Sequence, residues 1–103
     1  MPEEDQARRA QNLQRQLQAL QNQERSIGLQ LREVKQALEE VQDSEGDVYK
    51  AAGNVLIQKD KEEVIEELEE KKENLEEQKE ALESKKEQAQ GKIQEMTPQQ
   101  EAA

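Results

Sequence analysis

The sequence predicts a mainly α protein in which two long helices pair as an antiparallel coiled-coil hairpin and a short β-hairpin connects them. Three observations predict this class. Apolar residues recur at steps of three and four in two long segments, residues 47–58 have a strand-like composition, and bulky apolar residues are scarce. With 103 residues, 31% of them hydrophobic, and no Phe or Trp, the chain has too little apolar volume for an ordinary globular core. We therefore expect it to bury its apolar surface along a helical seam.

The first segment, predicted as a helix over residues 7–43, has an apolar residue at every core position of its heptads except one. The exception is Glu24. This regular period argues against disorder, which the net charge of −10 and low hydrophobic content would otherwise suggest. The apolar core positions are Ala10, Leu13, Leu17, Leu20, Ile27, Leu31, Val34, Leu38 and Val41.

The second segment, predicted as a helix over residues 60–97, has a seam that is only partly apolar, because it includes three lysines. Asp60 and Glu63 have capping-box spacing at its start, Pro98 is expected to end it, and Gly46 to close the first helix. Each helix would be on the order of 60 Å long. The seam positions are Ile65, Leu68, Lys72, Leu75, Lys79, Leu82, Lys86, Ala89, Ile93 and Met96.

A single antiparallel register aligns the two seams along their whole length. In that register Glu24 lies opposite Leu82, between Lys79 and Lys86. A partly buried carboxylate would there have cationic neighbours, and slipped registers would be disfavoured. The polar exception in the first seam is thus predicted to specify the pairing.

Residues 47–58, DVYKAAGNVLIQ, are predicted to form a β-hairpin. Residues 48–50 and 55–58 would be two short strands, joined through residues 51–54, with Gly53 or Asn54 supplying the positive φ of a tight turn.

Such a hairpin has open edges and is marginal by itself in water. Val55, Leu56 and Ile57 in succession place apolar side chains on both of its faces. We therefore expect strand pairing with other subunits, and the alternative is a loose apolar loop that caps the coiled coil. Tyr49 is either a packed strand residue or a recognition anchor. The predicted oligomer interface consists of Val48, Tyr49, Val55, Leu56 and Ile57.

The residue inventory disfavours catalysis. Without His or Cys the chain has no ordinary transition-metal site and no thiol nucleophile, and its serines have no imidazole to activate them. We expect no enzymatic activity, no metal and no cofactor. No phosphate-binding glycine loop, membrane-spanning apolar run or signal-peptide pattern is found, so the protein is expected to be soluble and cytoplasmic.

The acidic balance points to protein partners. A chain with a pI near 4.6 repels nucleic acid and anionic lipid. Residues 61–103 hold 14 acidic and 7 basic side chains, whereas residues 1–42 hold 7 and 6. This excess either keeps a solvated helix face soluble or steers a basic partner.

The segment GDVYKAAGNVLIQKDKEEVIEELEEKKENLEEQ, between two heptad helices, resembles the β-class subunits of prefoldin. VYK followed by GN, then VLI and DKEEVIEEL, carries most of the resemblance, which extends over about residues 8–96. It implies a single prefoldin β domain over residues 1–103 and a hexamer of two α-class and four β-class subunits, with the hairpins forming two β-barrels. The family holds unfolded proteins at the coiled-coil tips without ATP and passes them to a group II chaperonin.

Four apolar residues near the far ends of the helices are the candidate client-binding residues. Helix ends fray at low cost, and a flexible Met with branched aliphatics suits promiscuous apolar contacts. The same residues could equally complete the coiled coil, or do both. They are Leu13, Leu17, Ile93 and Met96.

Two other functions stay open from the sequence. One is a structural coiled-coil scaffold that oligomerises without chaperone activity, although such a protein has no need of the hairpin. The other is a β-class subunit specialised for folded clients or for a hexamer of six different chains; the short tail favours the simpler archaeal type.

Overall fold

The computed structural model describes residues 2–96 and contains four elements in the predicted order. Helix α1 spans Pro2–Asp43, strand β1 Val48–Ala52, strand β2 Val55–Lys59, and helix α2 Lys61–Met96. The fold class predicted from the sequence is confirmed. Pro98, expected to end the second helix, lies outside the described residues.

The described residues divide into two compact units. Residues 28–77 form the hairpin unit, which contains both strands, and residues 2–27 with 78–96 form the terminal unit.

Helix α1 begins at Pro2, earlier than the predicted residue 7. Proline is favoured at the first helical position because its fixed φ suits the helix and its missing N–H would have no partner there. Glu4 and Asp5 follow in the first turns, where carboxylates interact favourably with the positive end of the helix dipole.

The carboxyl end of α1 is closed by Ser44 and Lys61, not by a glycine. The Ser44 amide and hydroxyl donate to the Val41 carbonyl at 3.2 and 2.9 Å. The Lys61 ammonium, from the first turn of α2, donates to the carbonyls of Gln42 and Ser44 at 3.1 and 2.8 Å. These bonds satisfy carbonyls that have no partner within the helix.

The prediction that Gly46 closes α1 was wrong. Among the described residues only Gly53 has a positive φ, so Gly46 does not adopt the left-handed conformation of a glycine cap. The ammonium and the hydroxyl take its place because they reach the same carbonyls from outside the helix.

The β-hairpin is longer and its turn tighter than predicted. The antiparallel pairing runs from Val48 opposite Lys59 to Ala52 opposite Val55. Only Gly53 and Asn54 remain in the turn, with φ of +62° at Gly53. A positive φ at the first of two turn residues alone is the pattern of a type II′ turn, whose twist matches that of paired strands.

Helix α2 begins directly after the hairpin. Asp60 occupies the position before the first helical residue, and its carbonyl accepts a hydrogen bond from the Val64 amide at 3.1 Å. Glu62 and Glu63 lie in the first turn, where negative charge stabilises the helix. The predicted start at residue 60 is therefore one residue early, within the usual variation of helix bounds.

In the hairpin unit the two helices run antiparallel. Lys61, at the start of α2, lies beside the end of α1, whereas Glu76 lines a groove with Lys35, further back along α1. The seam residues Leu31, Val34, Leu38 and Leu75 are buried.

The terminal unit has the same antiparallel direction and a less covered seam. Lys86 contacts Glu24, and Met96 lines a groove with Arg9. Ile27, Leu82 and Ala89 are buried. The half-buried seam residues are Ala10, Leu13, Leu17, Leu20, Ile93 and Met96.

Candidate interaction surfaces

The register of the hairpin sorts its side chains onto two faces. Residues directly opposite one another project to the same face, and successive residues alternate. Tyr49, Ala51, Leu56 and Gln58 therefore share one face, which carries no charge. The other face holds Val48, Lys50, Ala52, Val55, Ile57 and Lys59.

Large apolar side chains are exposed on both hairpin faces. The exposed fractions are 53% for Tyr49, 61% for Val55, 69% for Leu56 and 46% for Ile57. Val48, the fifth residue singled out in the sequence, is half-buried. Within residues 2–96 the sheet has only two strands, so its outer edges also leave backbone groups without strand partners.

An ion pair connects the hairpin to α2 within the hairpin unit. The Lys50 ammonium lies 3.6 Å from a Glu67 carboxylate oxygen, and both side chains are at least half exposed. Such a pair contributes little to stability. The pair does indicate which face of the hairpin is turned toward α2. Lys50 lies on the same face as Val55 and Ile57, so it is this face.

The terminal unit brings two of the four candidate client-binding residues together. Leu13 and Met96 line one open groove, with Arg9, Asn12, Gln16 and Lys92 around them. Leu17 and Ile93 are half-buried in the seam and do not line this groove. The apolar pattern of the sequence identified the candidate residues but not the basic rim around them, although Arg9 and Lys92 occupy heptad positions beside the seam.

Glu24 is the polar member of the α1 seam and pairs with Lys86. The Lys86 ammonium donates to Glu24 Oε1 at 3.3 Å, and each side chain is 27% exposed. Glu24 Oε2 is buried without a hydrogen-bond partner in the described part of the chain. The pair thus joins the two helices but leaves half of the carboxylate unsatisfied.

The second expected cation, Lys79, is exposed and forms no ion pair with the side chains of residues 4–96. Helical side chains lean toward the amino end of their own helix. Lys86 therefore reaches back toward Leu82 and the facing Glu24, whereas Lys79 leans away from them.

We expect Glu24→Leu to stabilise the protein or leave its stability unchanged. A leucine facing Leu82 buries more apolar area and removes an unsatisfied oxygen, which offsets the loss of one partly exposed ion pair. Thermal and denaturant unfolding of the full chain measure the effect. Lys86→Met alone is the matched control, because it leaves the carboxylate without its cation and should destabilise. A loss above about 2 kcal/mol for Glu24→Leu would contradict this account of the seam.

Among the described residues, neither helix contains a stretch apolar enough to cross a membrane.

Antiparallel helices that enclose a heptad seam within each unit, joined by an apolar hairpin with open edges, define a class of helix–hairpin–helix coiled-coil proteins. A family model described as prefoldin subunit matches residues 4–101. The chain belongs to the prefoldin family, as a β-class subunit.

Two solved structures show the similarity in detail. The prefoldin β subunit from Thermococcus strain KS-1 has 32% sequence identity and a TM-score of 0.86, with 93% of this chain and 86% of that chain covered. The prefoldin β2 subunit from the same strain has 25% identity and a TM-score of 0.75, with 86% and 97% covered. No curated protein sequence matches the chain.

Proposed function

We propose that the protein is a subunit of an ATP-independent hexameric chaperone that captures unfolded proteins and delivers them to a group II chaperonin. Membership of the prefoldin family carries this proposal. The exposed hairpin and the thinly covered seam of the terminal unit supply surfaces suited to its two parts, assembly and capture. The chain would act in the cytoplasm and need no cofactor.

Assembly is assigned to the hairpin. Tyr49, Leu56 and Ile57 are large, exposed apolar side chains. Removing them from water would contribute about 25 cal/mol of favourable free energy for each Å² of apolar surface. Strands from other subunits would cover both faces and pair the open edges. The partners would be α-class subunits and further β-class subunits, in a hexamer of two α and four β. The proposed interface comprises Val48, Tyr49, Val55, Leu56 and Ile57.

Client capture is assigned to the terminal unit. The apolar seam residues nearest its helix ends are half-buried, so a fraying helix end can offer them to an apolar client segment at low cost. Contacts from several subunits would add through effective concentration, so that each can be weak. The proposed client-binding residues are Leu13, Leu17, Ile93 and Met96.

Reconstitution with an α-class prefoldin subunit tests the proposal. We expect light scattering after gel filtration to give the mass of a hexamer with two α and four β chains. That hexamer should suppress aggregation of a chemically denatured client without ATP, and a chaperonin should then recover the client. An assembled complex without suppression would favour a structural scaffold, and a chain that does not assemble with the α-class subunit would contradict the proposed partnership.

A further inference from the structure

Charge is divided unequally between the two units. The hairpin unit, residues 28–77, holds 16 acidic and 7 basic side chains. In the terminal unit, over residues 2–27 and 78–96, acidic and basic side chains number 8 each. Over the residues that the structure describes, the excess of negative charge therefore lies in the unit that carries the hairpin.

The groove that contains Leu13 and Met96 continues along the terminal unit. A second groove shares Leu13, Gln16 and Lys92 with the first. Its other lining residues are Leu20, Gln23, Lys85, Gln88 and Ala89. These two grooves together form one open groove between α1 and α2, which we call the terminal groove. Seam residues form its apolar floor.

Among the side chains that the structure describes, in residues 4–96, no carboxylate lines the terminal groove. Its charged members are Arg9, Lys85 and Lys92, and its other polar members are amides. The groove of the hairpin unit beside Leu38 differs, since Glu39, Glu69, Glu73 and Glu76 all line it. The absence of acid among the described residues of the terminal groove thus stands out in a chain with 25 acidic residues.

The heptad pattern explains why basic residues lie on the side of the helix pair that carries the terminal groove. Arg9, Gln16 and Gln23 precede the seam residues Ala10, Leu17 and Glu24, and Lys85 and Lys92 precede Lys86 and Ile93 in the same way. These positions face one another across one side of an antiparallel helix pair.

The other side of the terminal unit has a different composition. On this side lie the residues four positions after the first core residue of each heptad. They include Gln14, Gln21, Glu83 and Gln90. None of these four is basic.

The three cations of the terminal groove are available to a ligand. Arg9, Lys85 and Lys92 are exposed. Among the side chains described, those of residues 4–96, the ion pairs are Lys50–Glu67 and Glu24–Lys86, so no carboxylate of these residues neutralises any of the three. A bound segment carrying Asp or Glu would meet unpaired positive charge beside an apolar floor.

We infer that the terminal groove selects apolar client segments flanked by acidic residues over those flanked by basic ones. The inference rests on the proposed chaperone function and specifies its client class. The apolar floor of Leu13, Leu20 and Met96 supplies affinity without sequence preference, and the cations on the rim supply the preference through charge complementarity. Segments rich in Lys or Arg would be left to other surfaces, such as the acidic hairpin unit.

Fluorescence anisotropy with synthetic peptides tests this preference in the full chain. Three labelled peptides share one apolar core of leucine and valine and carry glutamate, glutamine or lysine on both flanks. Exposed charge pairs are individually weak, but a peptide with charges on both flanks can form more than one with the rim. We therefore expect the glutamate-flanked peptide to bind about tenfold more tightly than the lysine-flanked one at low salt. The difference should shrink as ionic strength rises.

Charge reversal locates the preference. Arg9→Glu combined with Lys92→Glu should abolish or invert the order of the peptides. Arg15→Glu combined with Arg25→Glu is the matched control: it changes the net charge equally, on exposed residues of the same unit outside the groove, and should keep the order. Glutamate has nearly the helix propensity of lysine and arginine, and far-UV circular dichroism verifies that both variants stay helical.

The outcomes separate the inference from the function on which it rests. Equal binding of all three peptides would overturn the inference and leave client capture standing. Binding of none of them would count against capture by this chain itself. If both double variants lose the preference equally, net charge and not the terminal groove determines it. Loss of the glutamate preference on removing residues 97–103 would place it outside the groove.

Discussion

Val55→Asp combined with Ile57→Asp should abolish the oligomer while both helices remain folded. The two side chains lie on the same hairpin face and are 61% and 46% exposed in the single chain. Covering them with another strand is favourable, whereas covering two aspartates would cost several kcal/mol per unpaired charge. The heptad seams contain neither residue, so helicity should not change.

Sedimentation of the reconstituted complex and far-UV circular dichroism check this result. Gln11→Asp combined with Gln18→Asp is the matched control, because it adds the same charge at two exposed positions of α1 and should leave the complex intact. A hexamer that survives in the Val55 and Ile57 variant would exclude this hairpin face from the interface.

Deleting residues 1–13 together with residues 93–103 should remove most of the capture of unfolded protein and leave the hexamer assembled. The deletion takes away Leu13, Ile93 and Met96, which supply apolar surface in the terminal unit, and leaves the hairpin unit whole. Suppression of aggregation of a denatured client, compared at equal hexamer concentration, measures the loss. Light scattering establishes that the hexamer persists.

Single substitutions make the same test without shortening the chain. Met96→Gln should weaken capture, because it removes a flexible apolar side chain from the groove that also contains Leu13. Leu29→Gln is the control, since Leu29 is a 52% exposed apolar residue of α1 in the hairpin unit. Equal losses would mean that any exposed apolar residue binds clients, and unchanged protection by the deletion variant would place the client site elsewhere in the hexamer.

Periodic features of the sequence were sufficient for the architecture. The three- and four-residue steps from Ala10 to Val41 specify a buried stripe wherever a long helix forms, and the stripe is buried or half-buried as expected. The change of composition at residues 47–58 marked the hairpin because alternating β-branched residues suit a pleated strand.

Features that depend on side-chain direction or reach were not predictable in this way. Lys61 closes α1 from a position beyond the hairpin, which no local capping pattern describes. Sequence spacing placed both Lys79 and Lys86 within about one helical turn of the residue opposite Glu24, and only the tilt of helical side chains distinguishes them. Gly46 lies close to where a glycine cap is usually found, yet Ser44 and Lys61 donate to the last carbonyls of α1 instead.

The Lys61 contact has a consequence for how readily the hairpin finds a partner strand. Its ammonium fastens the start of α2 to the end of α1, so the chain from Gln42 to Lys61 is closed at its base into a short loop. A closed loop samples fewer arrangements than an open connection. The hairpin is thereby preorganised within its unit, and less conformational entropy remains to be lost when its edges meet another strand.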